Sequence, residues 1–133
     1  MAALYHPEAF FEDPVFGRIN QKRAAKMWEM LCSSDKLDAI DFKILEVDGQ
    51  EVSVFWEAYY RFGKKDRPVH NKIHARMRIK DGLIIDHKDE FSVYRWATQA
   101  IGSSAYLLGW TSFFQKKLRQ ESNRSLDKFI SRT

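Results

Sequence analysis

The chain has 133 residues, of which 44% are hydrophobic and 14% aromatic, and these values predict one globular domain over residues 1–133. Its net charge of +4 comes from 22 basic and 18 acidic residues that are interleaved, which makes nucleic-acid binding an unlikely function. The single Cys32 excludes an internal disulfide, and no apolar run reaches the ~20 residues that cross a membrane, so we predict a cytoplasmic protein with no membrane contact.

The N-terminal segment contains an acidic residue in aromatic surroundings. Residues 5–8 (YHPE) are typical of the end of a helix followed by a turn, and residues 10–16 (FFEDPVF) are predicted to be extended because Pro14 disfavours helical geometry before it. Asp13 has two interpretations. It is a general base whose pKa is raised by Phe10, Phe11 and Phe16, or a turn aspartate that accepts hydrogen bonds from nearby backbone N–H groups.

Helical and strand periods then alternate along the chain. Apolar residues at three- and four-residue spacing predict a helix over 21–32 with Asn20 as its N-cap. Period-two patterns predict strands over 40–47 and 52–62, and the second strand turns Trp56, Ala58 and Tyr60 inward. After residue 91 the pattern predicts a short helix over 92–101 with Trp96 facing inward, and a long helix from 112 to about 130.

Residues 69–91 predict one long β-hairpin. A three-residue loop, 80–82, with glycine in the left-handed position pairs Ile79 with Leu83 and Met77 with Ile85, whereas a two-residue turn at 81–82 mixes core and solvent faces. We therefore predict the three-residue loop. Pairing Phe62 with Val69 extends the sheet to the preceding strand.

Three polar residues interrupt the apolar face of this hairpin. The predicted register places His87 opposite Ala75, Asp89 opposite Ile73, and Asn71 opposite Phe91. An unpartnered buried polar group costs on the order of 1–3 kcal/mol, so these groups either satisfy one another in a network with Tyr60 or line a cavity. The number of polar groups favours the cavity.

The order of these elements resembles the nuclear transport factor 2-like superfamily, which includes ketosteroid isomerase and the SnoaL-like proteins. The resemblance rests on residues 3–7 (ALYHP), 11–15 (FEDPV), 24–31, 80–82 (KDG), 87–89 (HKD), 69–71 (VHN) and 96–102 (WATQAIG). It implies an α+β fold in which a cone-shaped, curved antiparallel sheet packs against helices, as in a cystatin-like α+β barrel. The family's first helix is expected to be short or missing, with the C-terminal helix or a second subunit covering the open wall.

The resemblance also implies a function. A SnoaL or ketosteroid-isomerase type of enzyme works without a cofactor by proton abstraction, isomerisation, cyclisation or dehydration of a hydrophobic ligand. Asp13 aligns with the isomerase general base, and Asp89 matches the pocket aspartate of SnoaL-like cyclases, with His87 as its partner. Ala75 stands where the isomerase has the acid that donates to the oxyanion. The candidate ligand-binding residues are Phe16, Trp56, Tyr60, Asn71, Ala75, Met77, Phe91 and Trp96.

Alternatives to the enzyme remain open. The same scaffold hosts ligand-binding and association modules without catalysis. Exposed aromatic residues among charges on the outer sheet face suggest a homodimer interface there, and the same basic residues form a weaker candidate for an anionic partner. We predict no metal site, because His70 and His74 lie ~13 Å apart on a strand and face away from His87.

Overall fold

The computed structural model describes residues 2–102 and 112–132, which form a six-stranded curved, open sheet and helices. The strands are β1 (Tyr5–Asp13), β2 (Gly17–Asn20), β3 (Leu37–Asp48), β4 (Glu51–Phe62), β5 (Arg67–Lys80) and β6 (Leu83–Glu90). The helices in these ranges are α1 (Gln21–Ser33), α2 (Val93–Ala100) and α3 (Ser112–Arg132), and one 3-10 turn, Ala2–Leu4, precedes β1. The predicted α+β class is confirmed. None of the described helices combines the length and the hydropathy of a bilayer-spanning segment.

The sheet is mixed rather than wholly antiparallel. Its strand order is β2-β1-β6-β5-β4-β3, and β1 runs parallel to β6 while every other neighbouring pair is antiparallel. The predicted helix end at residues 5–8 is therefore wrong, since β1 begins at Tyr5. A register shift against β6 between Tyr5 and Phe10 interrupts the period-two pattern, which is why the sequence does not look like a strand there.

Side-chain caps set where the first two helices begin. The Asn20 side chain accepts a hydrogen bond from the Arg23 backbone N–H at 3.0 Å, as predicted, and Ser92 does the same for Arg95 at 3.1 Å. In α1 the buried stripe is narrower than predicted, because Leu31 and Cys32 are exposed. In α2 the prediction that Trp96 faces inward is confirmed, and its side chain is buried.

The predicted three-residue hairpin loop is wrong. Lys80 pairs with Leu83 around a two-residue turn whose residues, Asp81 and Gly82, both have positive φ (54° and 76°), as a type I′ turn requires. Ile79 then pairs with Ile84 but Arg78 pairs with Asp86, so Ile85 is an extra residue on β6. Beyond this bulge, each β6 side chain points to the face opposite to the one that a regular two-residue hairpin would give it. Core residues therefore oppose core residues, and the mixing of core and solvent faces that argued against the short turn does not occur.

The β4–β5 register also differs from the prediction, by two residues. Tyr60, rather than Phe62, pairs with Val69, so that Trp56 lies beside Ile73 and Ala58 beside Asn71. A two-residue shift preserves facing, because side chains alternate with period two. His87 now pairs with Met77 and Asp89 with Ala75, and we call the face that carries these residues the inner face.

The C-terminal helix α3 completes the core on the side of α1 and β2. Leu126 is fully buried in a cluster that also contains Phe11, Phe16 and Met27. Arg23 of α1 donates hydrogen bonds to Asp127 at 2.6 Å and to the Asn123 side-chain oxygen at 2.8 Å, which tie the two helices together. The expectation that the C-terminal helix covers an open wall therefore agrees with its packing.

Removing the Leu126 side chain tests this packing. We expect Leu126→Ala to lower the free energy of unfolding by about 2–5 kcal/mol, because it leaves a cavity in a sealed cluster. Lys128→Ala, an exposed site on the same helix, is the control and is expected to change it by less than about 0.5 kcal/mol. Urea unfolding followed by circular dichroism measures both, and equal stabilities would contradict a structural role for α3.

Candidate functional site

The parallel pairing of β1 with β6 places two carboxyl groups side by side. Phe11 pairs with His87 and Glu12 with Lys88, so the same register sets Asp13 beside Asp89. Neighbouring strands lie ~4.8 Å apart, and both aspartates occupy the face on which the Phe11 and His87 rings meet edge to face at 5.0 Å. Two of the predicted acid–base residues are thus brought together from distant parts of the sequence.

A directional chain of hydrogen bonds ends on Asp89. The Trp28 indole N–H donates to the Tyr5 hydroxyl at 2.9 Å, and the Tyr5 hydroxyl lies 2.8 Å from Nδ1 of His87. Nε2 of His87 lies 2.7 Å from Oδ1 of Asp89. An ionised Asp89 carboxylate can only accept, so His87 carries its hydrogen on Nε2 and donates it to Asp89, and Nδ1 of the neutral ring then accepts from the Tyr5 hydroxyl.

The His87 ring is held from its faces and edges as well. It stacks on Trp28 at 6.4 Å with an interplanar angle of 17°, and His87 and Asp89 are only 1% and 3% exposed. The i, i+2 spacing predicted that these two side chains share a face, and here they bond directly without a bridging water. The network that satisfies His87 contains Tyr5 and Trp28, whereas the predicted alternative used Asn71 and Tyr60.

Asp13 has the hydrogen bonds predicted for a turn aspartate and the raised pKa predicted for a buried carboxyl, while its role as a base stays a prediction. Its Oδ1 accepts hydrogen bonds from the backbone N–H groups of Val15 at 2.9 Å and Phe16 at 2.6 Å, as a turn aspartate does. Burial nevertheless raises the pKa of the Asp13 carboxyl to about 6; the bond from Phe16 opposes that shift, and the negative charge of Asp89 adds to it. The second oxygen, Oδ2, takes no hydrogen bond from the described residues.

A tyrosine hydroxyl lies close enough to sense the Asp13 charge. The Trp96 indole N–H donates to the Tyr60 hydroxyl at 2.7 Å. Burial raises the pKa of Tyr60 to about 12, the Trp96 bond opposes this, and the charge of Asp13 contributes. Tyr60 is therefore a neutral hydrogen-bond donor at neutral pH, and Trp96 occupies its acceptor side.

Asp13 and Asp89 open into a common cavity of about 530 Å³. The residues that line it, among those described, are Glu12, Asp13, Pro14, Gly17, Arg18, Lys88, Asp89, Glu90, Phe91 and Arg119. Arg119 of α3 crosses directly over Gly17, where an added Cβ would lie 3.1 Å from its side chain. Its positive charge lowers the pKa of Asp13 slightly against the larger effect of burial. The cavity thus joins Asp13, Asp89 and Arg119 to further charged groups of both signs, those of Glu12, Arg18, Lys88 and Glu90.

The remaining predicted ligand-binding residues lie at increasing distance from this cavity. Phe91 lines it, Phe16 donates to Asp13, and Ala75 pairs with Asp89 across the sheet. The others sit further along the inner face: Met77 beside His87, Trp56 with its ring 6.1 Å from that of Trp28, and Asn71 beside Ala58.

A second, larger groove of about 790 Å³ runs along the outside of α1. Trp28, Cys32 and Ile130 are among its lining residues, but none of the candidate acid–base residues is. Trp28 is the one described residue that both lines this groove and bonds to the Tyr5 hydroxyl. In the part of the chain that the structure describes, no group of three or more His, Cys, Asp or Glu side chains is placed to hold a metal ion.

Sequence reasoning missed two contributors to the site. No strand pattern is visible in the sequence around Tyr5, because the residues there do not alternate. Tyr5 precedes the candidate base Asp13 by eight residues on the same strand, and this spacing became informative only once β1 was known to begin at Tyr5. Arg119 carries no signal in sequence, because its place over Gly17 depends on how α3 packs.

The chain belongs to the SnoaL-like family of the nuclear transport factor 2-like superfamily, since the SnoaL-like domain model matches residues 1–87. The predicted resemblance is confirmed. No curated protein matches the chain.

Solved structures support the fold. A candidate isomerase from Rhodopseudomonas palustris superposes with a TM-score of 0.66 at 10% identity, over 77% of this chain and 82% of that one. A protein with a ketosteroid isomerase-like fold from Catenulispora acidiphila, in complex with trimethylamine, gives 0.62 at 15% identity over 83% of both chains. An epoxide hydrolase of M. tuberculosis gives 0.58 at 20% identity, over 80% of this chain and 79% of that one. Identities this low establish a common fold and leave the chemistry of this chain to its own residues.

The raised pKa of Asp13 predicts a pH-dependent stability. The folded-state pKa of about 6 lies above the ordinary value of 3.8, so the favourable contribution of Asp13 to stability is complete below about pH 4 and is lost as the pH rises through 6. A shift of this size corresponds to roughly 3 kcal/mol at neutral pH. We expect Asp13→Asn, which cannot ionise, to be more stable than the natural protein at neutral pH, with a smaller difference near pH 4.

Urea unfolding of both proteins across this pH range measures the effect. Asp48→Asn removes an exposed carboxylate at the end of β3 and is the control, expected to follow the natural protein. The stability difference between Asp13→Asn and the natural protein is expected to vary with pH. A constant difference would contradict the raised pKa of the buried Asp13 carboxyl.

Proposed function

We propose that the protein is a small-molecule acid–base enzyme that moves protons between Asp89, Asp13 and a ligand in their common cavity. The observation that carries the proposal is the pairing of two carboxyl groups in different environments. One has its pKa raised to about 6, and the other accepts a hydrogen bond from a buried, oriented histidine. Two neighbouring carboxyl groups in such different environments suit the roles of acid and base.

Asp89 is the proposed general base. His87 donates to its Oδ1, which fixes the carboxylate in one orientation and leaves the second oxygen for a substrate proton. The chain from Trp28 through Tyr5 holds His87 in the tautomer that donates. Tyr5 and His87 are thus positioning residues, because they act through Asp89 rather than on the substrate.

Asp13 is the proposed acid, and Tyr60 and Arg119 are proposed to stabilise negative charge. Below about pH 6 the Asp13 carboxyl carries a proton that it can share with an oxygen atom of the ligand on which charge develops. Tyr60 is a neutral donor whose pKa the Asp13 charge helps to raise, and Arg119 is a cation that lines the cavity. Asn71, which was also predicted to orient such an oxygen, lies further along the inner face beside Ala58.

The class of reaction follows from these groups. Abstraction of a proton from carbon, with delivery of a proton to oxygen, serves isomerisation, cyclisation and dehydration alike, and the side chains carry it out without a cofactor. A partly hydrophobic ligand with an oxygen atom suits a cavity that joins Phe91 and Pro14 to the charged groups.

An association module is the second candidate function, favoured by the exposed apolar residues of β3. The predicted dimer surface was the outer sheet face, but its aromatic residues are half-buried against neighbouring histidines. Tyr59 stacks on His70 at 4.2 Å, and Phe55 lies 5.2 Å from His74. An outer-face dimer remains a prediction, and the greater apolar exposure lies on β3.

A nitrobenzisoxazole tests the proposed base without knowledge of the natural substrate. A base removes the ring C–H proton, the N–O bond breaks, and its electron pair stays on oxygen as a coloured cyanophenolate. We expect the protein to exceed acetate in this reaction and Asp89→Asn to lower kcat/KM by roughly a hundredfold or more. Asp86→Asn, an exposed carboxylate on the same strand, is the control. A natural protein no faster than acetate, or an unchanged rate in Asp89→Asn, would disprove the base.

The role of Asp13 predicts the pH profile of the same reaction. If the protonated carboxyl assists the leaving oxygen, kcat/KM falls by up to about tenfold per pH unit above pH 6, as Asp13 ionises. Asp13→Asn is expected to lose this descending limb. Measuring kcat/KM between about pH 5 and pH 8 distinguishes the cases. A limb that persists in Asp13→Asn belongs to another group.

A further inference from the structure

Strand β3 has an apolar face that no described residue covers. Ile40, Phe42, Ile44 and Val47 share the inner face with their β4 partners, and they are 48%, 73%, 56% and 65% exposed. Their partners on β4 include Val52, Val54 and Trp56, so the apolar surface continues across two strands. A contiguous apolar surface of this kind in a water-exposed position marks an interaction site.

The same strand is the free edge of the sheet. β3 is last in the strand order and pairs with β4 alone, so one side of its twelve-residue backbone has no strand partner among the described residues. Register shifts interrupt β3 between Leu37 and Ala39 and between Ile44 and Glu46, and residues 39–44 between them pair with β4 without interruption. An exposed apolar edge of this kind templates the addition of another strand. The occupant that fits β3 is therefore a strand.

The charges in the uninterrupted centre of β3, residues 39–44, make that segment complementary to itself. In an antiparallel pair that continues the sheet, inner-face residues must oppose inner-face residues, so few registers are available. Centring the pair on Asp41 or on Lys43 sets like charges against each other. Centring it on Phe42 sets Asp41 of one copy opposite Lys43 of the other, twice by symmetry, and Ile40 opposite Ile44.

We propose that two copies of this chain pair through β3, antiparallel and with a twofold axis at Phe42, to form one continuous twelve-stranded sheet. The interface is isologous, as in most homodimers, and it buries the free edge. It lies at the opposite end of the strand order from β1, so the dimer leaves the cavity of Asp13 and Asp89 accessible. This inference does not depend on the proposed acid–base function.

Charge reversal tests both the interface and its register. Sedimentation velocity over a concentration series measures the dimer dissociation constant of the purified protein. Asp41→Lys alone or Lys43→Asp alone replaces two attractions by two repulsions and is expected to raise that constant by about tenfold or more. The double variant Asp41→Lys/Lys43→Asp restores opposite charges and is expected to return it to within about threefold of the natural value.

Controls separate the interface from folding and from net charge. Lys64→Asp, on an exposed loop, makes the same charge change as Lys43→Asp and is expected to leave the dimer unchanged. Circular dichroism confirms that each variant is folded, as the exposure of residues 41 and 43 leads us to expect. Three results would each overturn the proposal. The natural protein could remain monomeric throughout the concentration series, the single charge reversals could leave the dimer dissociation constant unchanged, or the double variant could fail to return that constant to near the natural value.

Discussion

The parallel pairing of β1 with β6 is the contact on which the rest of the site depends. It brings Tyr5, Phe11 and Asp13, from the start of the chain, against Ile84, His87 and Asp89, about eighty residues later. A parallel neighbour keeps the same order of residues on both strands, so an aromatic pair at one level is followed by a carboxyl pair two residues on. Without this pairing His87 would lack the tyrosine that orients it, and Asp13 would lack the neighbour whose charge adds to its raised pKa.

The site is organised by the direction of its hydrogen bonds. An ionised Asp89 can only accept, which makes Nε2 of His87 the donor and Nδ1 the acceptor of the Tyr5 hydrogen, while the Trp28 indole donates to the Tyr5 oxygen. A buried network in which each hydrogen atom has a single acceptor is rigid. Rigidity suits the proposed base, Asp89, which must keep one orientation. The Trp96 indole N–H donates to the Tyr60 hydroxyl in the same way. Both pairs use an indole N–H to occupy the acceptor side of a phenol.

The two ends of the sheet differ in how far their inner faces are covered. At the β1 end, α1 and α3 seal the inner face, with Leu126 buried and Arg119 lying over Gly17 at the cavity. At the β3 end, apolar residues stay exposed beside a free edge. The covered end holds titratable groups in a water-poor environment, where burial changes their proton affinity, and the open end offers backbone and apolar surface for assembly.

The sequence by itself determined which residues alternate, and hence that His87 and Asp89 share the inner face with Ala75 and Met77. It also indicated the Asn20 cap and the family, and it singled out Asp13 as a candidate residue. Tertiary structure decided the registers, because a two-residue turn with a bulge at Ile85 and a three-residue loop leave His87 and Asp89 on the same face. It also decided the partners of that face, since Tyr5 reaches His87 only through the β1–β6 pairing and Arg119 reaches the cavity only through the packing of α3. The physical reason is that periodicity is a local property of the chain, whereas a hydrogen bond between residues eighty positions apart depends on how distant strands and helices pack.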